Sequence, residues 1–153
     1  MIVDNNAVAD QIVEYLRKEL VLYESIYKLT VRQKESVQGN DTDLLMGILN
    51  QKQKYIRRID IVQHDLVAAT KSWPEIRDRI ARPRRDLING LSEKVKAVLG
   101  NIILLEKENM CLVQSRKEAL EERMQRTRAG KDTINHYLSS AKPNAASIMD
   151  RRL

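Results

Sequence analysis

Histidines, cysteines and paired carboxylates are the side chains from which hydrolytic, redox and metal sites are built. This chain spaces them too widely for any of those. His64 and His136 stand far apart, with no HExxH motif and no second histidine four residues on. Glu14, Glu19 and Glu24 lack the Glu-x-x-His partner that binds two iron ions in helical bundles. Cys111, the one cysteine, lies in Met110-Cys111-Leu112-Val113 and reads as a small, partly buried hydrophobe. One cysteine allows no internal disulfide and no cysteine-based metal site. A glycine-rich phosphate loop and a GxSxG elbow are both missing. The residues therefore predict no catalytic group, no cofactor and no metal: this is not an enzyme.

What remains is binding. Arg77, Arg79, Arg82, Arg84 and Arg85 lie near Trp73, which could stack on a base. Glu75, Asp78 and Asp86 dilute that cluster, and no nucleic-acid motif accompanies it. It reads as the solvated end of a helical body, with no nucleic-acid partner expected. The stronger candidate is apolar. Between Gln114 and Asp132 the charged residues dominate, yet Val113, Leu120, Met124, Ile134 and Leu138 keep a narrow stripe on one helix side. Either a partner covers that stripe, or the chain's own first helix or a second copy does. Met110 and Met124 add side chains that adapt to different partners.

The elements that carry these residues follow from periodicity. The first helix is predicted over about 5–37, capped at Asp4 or Asn5, with Ile12, Leu16, Leu20, Tyr23, Tyr27 and Val31 as its stripe. Gly39 is placed to take a left-handed conformation in a tight turn. The second helix, about 42–70, is capped by Asp41 or Thr42. Its stripe is Leu45, Ile48, Leu49, Tyr55, Ile56, Ile59, Val62 and Leu66, with the Lys52 stem lying along apolar surface and its ammonium in water. Ser72-Trp73-Pro74-Glu75 reads as a capping box opening a short helix, about 73–81, whose Trp73 and Ile76 cover one end. Pro83 opens the last helix, about 84–138, with Leu87, Leu91, Val95, Val98, Ile102, Leu105 and Leu112 as its stripe; at 1.5 Å per residue it would be about 80 Å long.

The fold class is all-α: an elongated antiparallel three-helix bundle or coiled coil with a short connecting helix and a flexible C-terminal tail. Residues 1–140 form one helical domain, and 141–153 a flexible tail ending in a short motif. The composition agrees, with no Phe, aromatics at 4%, five Gly and three Pro. The net charge of +6 is uneven, at −1 over residues 1–40, 0 over 41–70 and +7 over 71–153. No apolar run reaches 18 residues, so no membrane insertion is expected. The start, Met-Ile-Val-Asp-Asn-Asn, lacks the features of a signal peptide, which makes the cytoplasm the expected location.

Three stretches resemble the FlgN family of flagellar export chaperones. The first is the helix of about thirty residues followed by Ser36-Val37-Gln38-Gly39-Asn40-Asp41-Thr42-Asp43-Leu44-Leu45 and Asn50-Gln51-Lys52-Gln53. It is similar to the family's Gly-x-x-x-x-Leu hairpin followed by a lysine, though Asn50-Gln51 stand where acidic residues are common. The second is Leu105-Glu106-Lys107-Glu108-Asn109-Met110-Cys111-Leu112-Val113, similar to the family's asparagine-centred segment. The third is the terminal Ile148-Met149-Asp150-Arg151-Arg152-Leu153, placed like the family's Tyr-Asp-like motif but with Met149 where an aromatic is expected. The resemblance implies a non-catalytic cytoplasmic chaperone in type III export. Its clients would be hook-associated (hook–filament junction) proteins, covered along Val113, Leu120, Met124, Ile134 and Leu138. It also implies a tail, through Ile148, Met149, Asp150 and Leu153, for docking to the flagellar export gate or ATPase complex. Two other readings stay open: a coiled-coil scaffold that self-associates, as a homodimer or larger, and a nucleic-acid-binding helical bundle.

Overall fold

The computed structural model describes residues 4–124. Every element among them is helical: α1 (Asn5–Gln38), α2 (Thr42–Thr70), α3 (Trp73–Ile76) running into a 3-10 turn at Arg77–Arg79, and α4 (Arg82–Met124).

The helix starts have clear causes. Asp4 sits extended before α1, and its carboxylate accepts from the Asn6 and Ala7 amides at 3.0 and 3.3 Å. Asp41 does the same for α2 through the Leu44 amide at 3.0 Å. Each satisfies amides that the first helical turn leaves without partners.

The turn between α1 and α2 corrects the expectation for Gly39. Gly39 is right-handed, with φ −85°, and Asn40 takes the left-handed conformation with φ 53°. The Asn40 amide donates to the Val37 carbonyl (3.2 Å) and the Asp41 amide to the Ser36 carbonyl (2.9 Å). These are the two bonds of a Schellman motif, with asparagine in the place more often held by glycine. Asn40→Val is expected to lower stability by about 1–2 kcal/mol, because a β-branched residue crowds its carbonyl at positive φ. Asn40→Gly should match or slightly exceed the parent. Thermal unfolding of the two variants checks both signs.

The α3 region also departs from the sequence reading. Ser72 is right-handed and its side chain makes no capping bond, so the capping box does not form. The short helix gives way to the 3-10 turn, and the chain then extends at Ile80 (ψ 137°). That break carries Ile80, 2% exposed, into the core beside Ile76. Arg82, although it precedes a proline, already belongs to α4, so the interruption falls two residues earlier than Pro83 suggests.

Three apolar clusters tie the long helices together. Ala9, Ile12, Val13 and Leu16 of α1 meet Leu66 of α2, Ile76, Ile80, and Ile88 and Leu91 of α4, with Trp73 packed at the edge. Further along, Tyr23 and Ile26 meet Ile56, Ile59, Val95, Leu99 and Ile102. At the far end Val37 meets Leu45, Leu49 and Val113. Early α1 thus shares its cluster with late α2 and early α4, and late α1 with early α2 and late α4.

The α2 stripe holds, with Leu45, Ile48, Leu49, Ile56, Ile59 and Leu66 buried, whereas parts of the α1 and α4 faces differ from the stripes read off the sequence by about one position. In α4 the core residues are Ile88, Leu91, Val95, Leu99, Ile102 and Val113, while Leu87 is exposed. Tyr27 of α1 is also exposed. The reason is the polar residues inside, since Glu19, Thr30, Gln33, Lys52, Glu106 and Asn109 each expose 1% or less. A stripe drawn only through apolar residues rotates away from them.

Candidate functional site

Two features of the described residues lie outside an ordinary apolar core. One is a polar layer between the second and third clusters. The other is the end of α4.

In the layer, Lys52 of α2 reaches across to α4 and α1. Its ammonium donates to Gln33 Oε1 at 2.8 Å and pairs with Glu106 Oε1. The lysine was expected to lie along the surface with its head in water; it is fully buried instead. Carboxylate and amide partners inside the core capture the head. Burial lowers the lysine from 10.5 to about 7, because an ammonium out of water loses its hydration. The neighbouring Glu106 carboxylate works against that pull by favouring the charged form.

One turn beyond Glu106, Asn109 donates from Nδ2 to the Thr30 carbonyl at 3.1 Å. The Thr30 hydroxyl donates to the Ile26 carbonyl at 2.7 Å, and that of Ser36 to the Gln33 carbonyl at 2.7 Å. Glu106 Oε2 and Asn109 Oδ1 are buried without a partner. Such a layer can bind no substrate, since its members are closed off from solvent. It can fix register, because sliding one helix against another would strand its charges and amides in apolar surroundings. Asn109→Ala is expected to cost about 1–2 kcal/mol in urea unfolding, through the lost bond to Thr30.

At the end of α4, Val113 is the last buried apolar side chain among those described. It is 7% exposed and packs on Val37, Leu45 and Leu49. It was read as part of a partner-binding stripe, yet here its side chain is taken up by the chain's own core. Three residues on, Arg116 donates to the Gln38 carbonyl at 3.1 Å, at the C-terminal end of α1. The helix continues to Met124. Around that contact Gln114 donates to Glu118 at 3.3 Å and Lys117 pairs with Glu121 at 4.0 Å, both within α4. The backbone of α4 carries Leu120 and Met124. The two side chains, and Ile134, Leu138, Ile148, Met149, Asp150 and Leu153, lie outside the described set.

Other candidates are placed as follows. Cys111 is exposed rather than partly buried, because the inward face of α4 passes through Glu106, Asn109 and Val113. His64 is exposed on α2. Among the described residues no group of three or more His, Cys, Asp or Glu could hold a metal ion. The arginine cluster is interleaved with carboxylates, with Arg82–Asp86 at 3.8 Å, Arg77–Asp78 at 3.9 Å, and Arg84 bonded to Asp10 of α1 at 3.0 Å. No helix among the described residues is long and apolar enough to cross a membrane.

The sequence reading missed the polar layer. A signal for it existed: Gln33, Lys52, Glu106 and Asn109 each fall where the apolar period demands a core residue.

Comparison with known proteins adds one positive finding. Searches of curated proteins and of solved structures returned no match. The family model described as FlgN protein matches residues 1–145, nearly the whole chain. The chain belongs to the FlgN family, a family of flagellar export chaperones, and a general chaperone role follows from that membership.

Proposed function

We propose that this protein is a cytoplasmic, non-catalytic chaperone of type III export. It holds hook–filament junction proteins through an apolar helical segment before they are secreted. The observation that carries this beyond family membership is the end of α4. That helix runs eight residues, about 12 Å, past Arg116, whose bond to the Gln38 carbonyl ties it to the α1 end. An isolated helical extension gains little from propensity alone and needs an apolar face covered. A client that must not assemble early has the complementary need, which helix-in-groove docking satisfies.

We read the whole as an antiparallel three-helix bundle, with residues 1–140 as its domain and 141–153 as a tail. The client stripe then consists of Leu120, Met124, Ile134 and Leu138. Val113 itself packs in the bundle's own core. Docking of the tail to the export gate or ATPase complex, through Ile148, Met149, Asp150 and Leu153, remains part of this proposal.

Mixing the purified chain with purified junction proteins tests it. A 1:1 complex by size-exclusion chromatography with light scattering is the expected result. Failure of every junction protein to bind would refute the client class. A stable homo-oligomer with no client affinity would favour the scaffold reading.

A further inference from the structure

A second surface lies between α1 and α2. Its apolar half is a groove of about 540 Å³ floored by Val21 and Leu22 of α1 and Ile61 and Val62 of α2. Val21 and Ile61 are 61% and 65% exposed, among the most exposed large apolar side chains described. Arg17, Lys18 and Arg58 rim it. A second hollow of about 530 Å³ continues from Arg58, rimmed by Lys28, Arg32 and Lys54 as well. Six cations therefore border the two, and neither hollow is lined by an acidic residue. Of the six, Lys18 has an ion pair of its own, with Glu14 at 3.3 Å. The run from Arg17 to Arg32 spans about 22 Å of α1, four turns of helix.

We infer that this groove docks an acidic amphipathic helical segment of another protein, its apolar face on Val21 and Ile61 and its carboxylates against Arg17, Arg58, Arg32 and Lys54. Charge selects the occupant. The chain's own residues 125–153 carry six basic and two acidic residues, so that segment is repelled. A second copy laid groove to groove would set Arg17, Lys18 and Arg58 against themselves, in a chain of net charge +6. A nucleic acid would use the cations but leave the apolar floor unmatched, and the one aromatic ring lining the groove, Tyr55, already has Arg58 over it at 5.5 Å. An acidic helix with one apolar face meets both requirements.

This surface is separate from the α4 extension, and its test does not depend on the chaperone reading. The probe is a synthetic 18-residue peptide with leucines along one helical face and glutamates on its flanks, titrated by fluorescence anisotropy against the full chain. Binding in the ~10 μM range is expected, weakening as salt is raised. A scrambled peptide of the same composition should bind at least tenfold more weakly, and a lysine-for-glutamate peptide not at all. Val21→Ser with Ile61→Ser changes only exposed positions, and so does Arg17→Glu with Arg58→Glu. Each pair should weaken the peptide at least tenfold with the circular dichroism unchanged. Equal binding of the scrambled peptide, or no effect of both variant pairs, would overturn the inference. So would tighter competition at the groove by phosphatidylglycerol vesicles or a single-stranded oligonucleotide.

Discussion

Replacing Glu106 with leucine is expected to remove about 3–5 kcal/mol of unfolding free energy, the largest single effect in the described core. The substitution leaves Lys52 fully buried with only Gln33 as partner. An ammonium without its carboxylate must either stay charged in a poor solvent or give up its proton, and both cost stability. Adding Lys52→Met removes the stranded charge. The double variant should return to within about 1–2 kcal/mol of the parent, the residue being Gln33, which loses its donor. Urea denaturation of the four proteins gives the coupling directly. If the effects of the two single changes simply add, the pair is not coupled and the layer does not work as described. Proton linkage supplies an independent readout. The folded-state pKa of Lys52 is lowered from 10.5 to about 7, so between those values the unfolded chain holds a proton that the folded chain has released. Stability from this group is lowest below pH 7, rises through the window and levels off near pH 10.5. The double variant lacks that rise, and comparison of the two proteins at pH 7 and 9 checks the sign.

Helix-forming stretches were legible because apolar residues recur three and four apart over long runs with little glycine or proline. The capping aspartates were legible too, since Asp4 and Asp41 stand just before those runs. The inward face of α2 was legible, but parts of the α1 and α4 faces were not. Leu87, Tyr27 and Cys111 read as inward or part-buried from spacing, yet all three are exposed, and on α4 Ile88 and Asn109 hold inward positions nearby. Polar residues in the core contribute to that error, because a stripe drawn through apolar residues alone passes over Glu106 and Asn109 although their spacing puts them inside. Their burial depends on partners contributed by other helices, which spacing within one helix cannot reveal. The Gly39–Asn40 exchange is similar: both residues tolerate positive φ, and the choice between them is made by where α1 ends. Of the proposed client stripe, Val113, Leu120 and Met124 lie on α4, while Ile134 and Leu138 lie outside the described residues. That Val113 belongs to the core does not follow from spacing, since it needs the packing of Val37, Leu45 and Leu49 to be seen.

The place of Val113 in the core gives the chaperone reading its sharpest consequence. On that reading, Leu120→Asp with Met124→Asp should weaken client binding about 100-fold or more. Two apolar anchors each contribute about 1.5–3 kcal/mol when fully covered, and a factor of ten corresponds to about 1.4 kcal/mol. The fold should not suffer. Both positions lie on α4 beyond Val113 and beyond the Arg116 contact with Gln38, and the new carboxylates come among Arg116, Lys117, Arg123 and Arg128. Val113→Ala supplies the opposite case. It opens the last core cluster, so it should lower the unfolding midpoint while leaving the affinity of the folded chain for client within a few-fold. The two results together separate core from client surface along one continuous helix. Normal binding by the Leu120→Asp, Met124→Asp chain would instead put the client elsewhere. The groove between α1 and α2 would then be the next surface to examine, since its apolar floor is exposed and open to a helix.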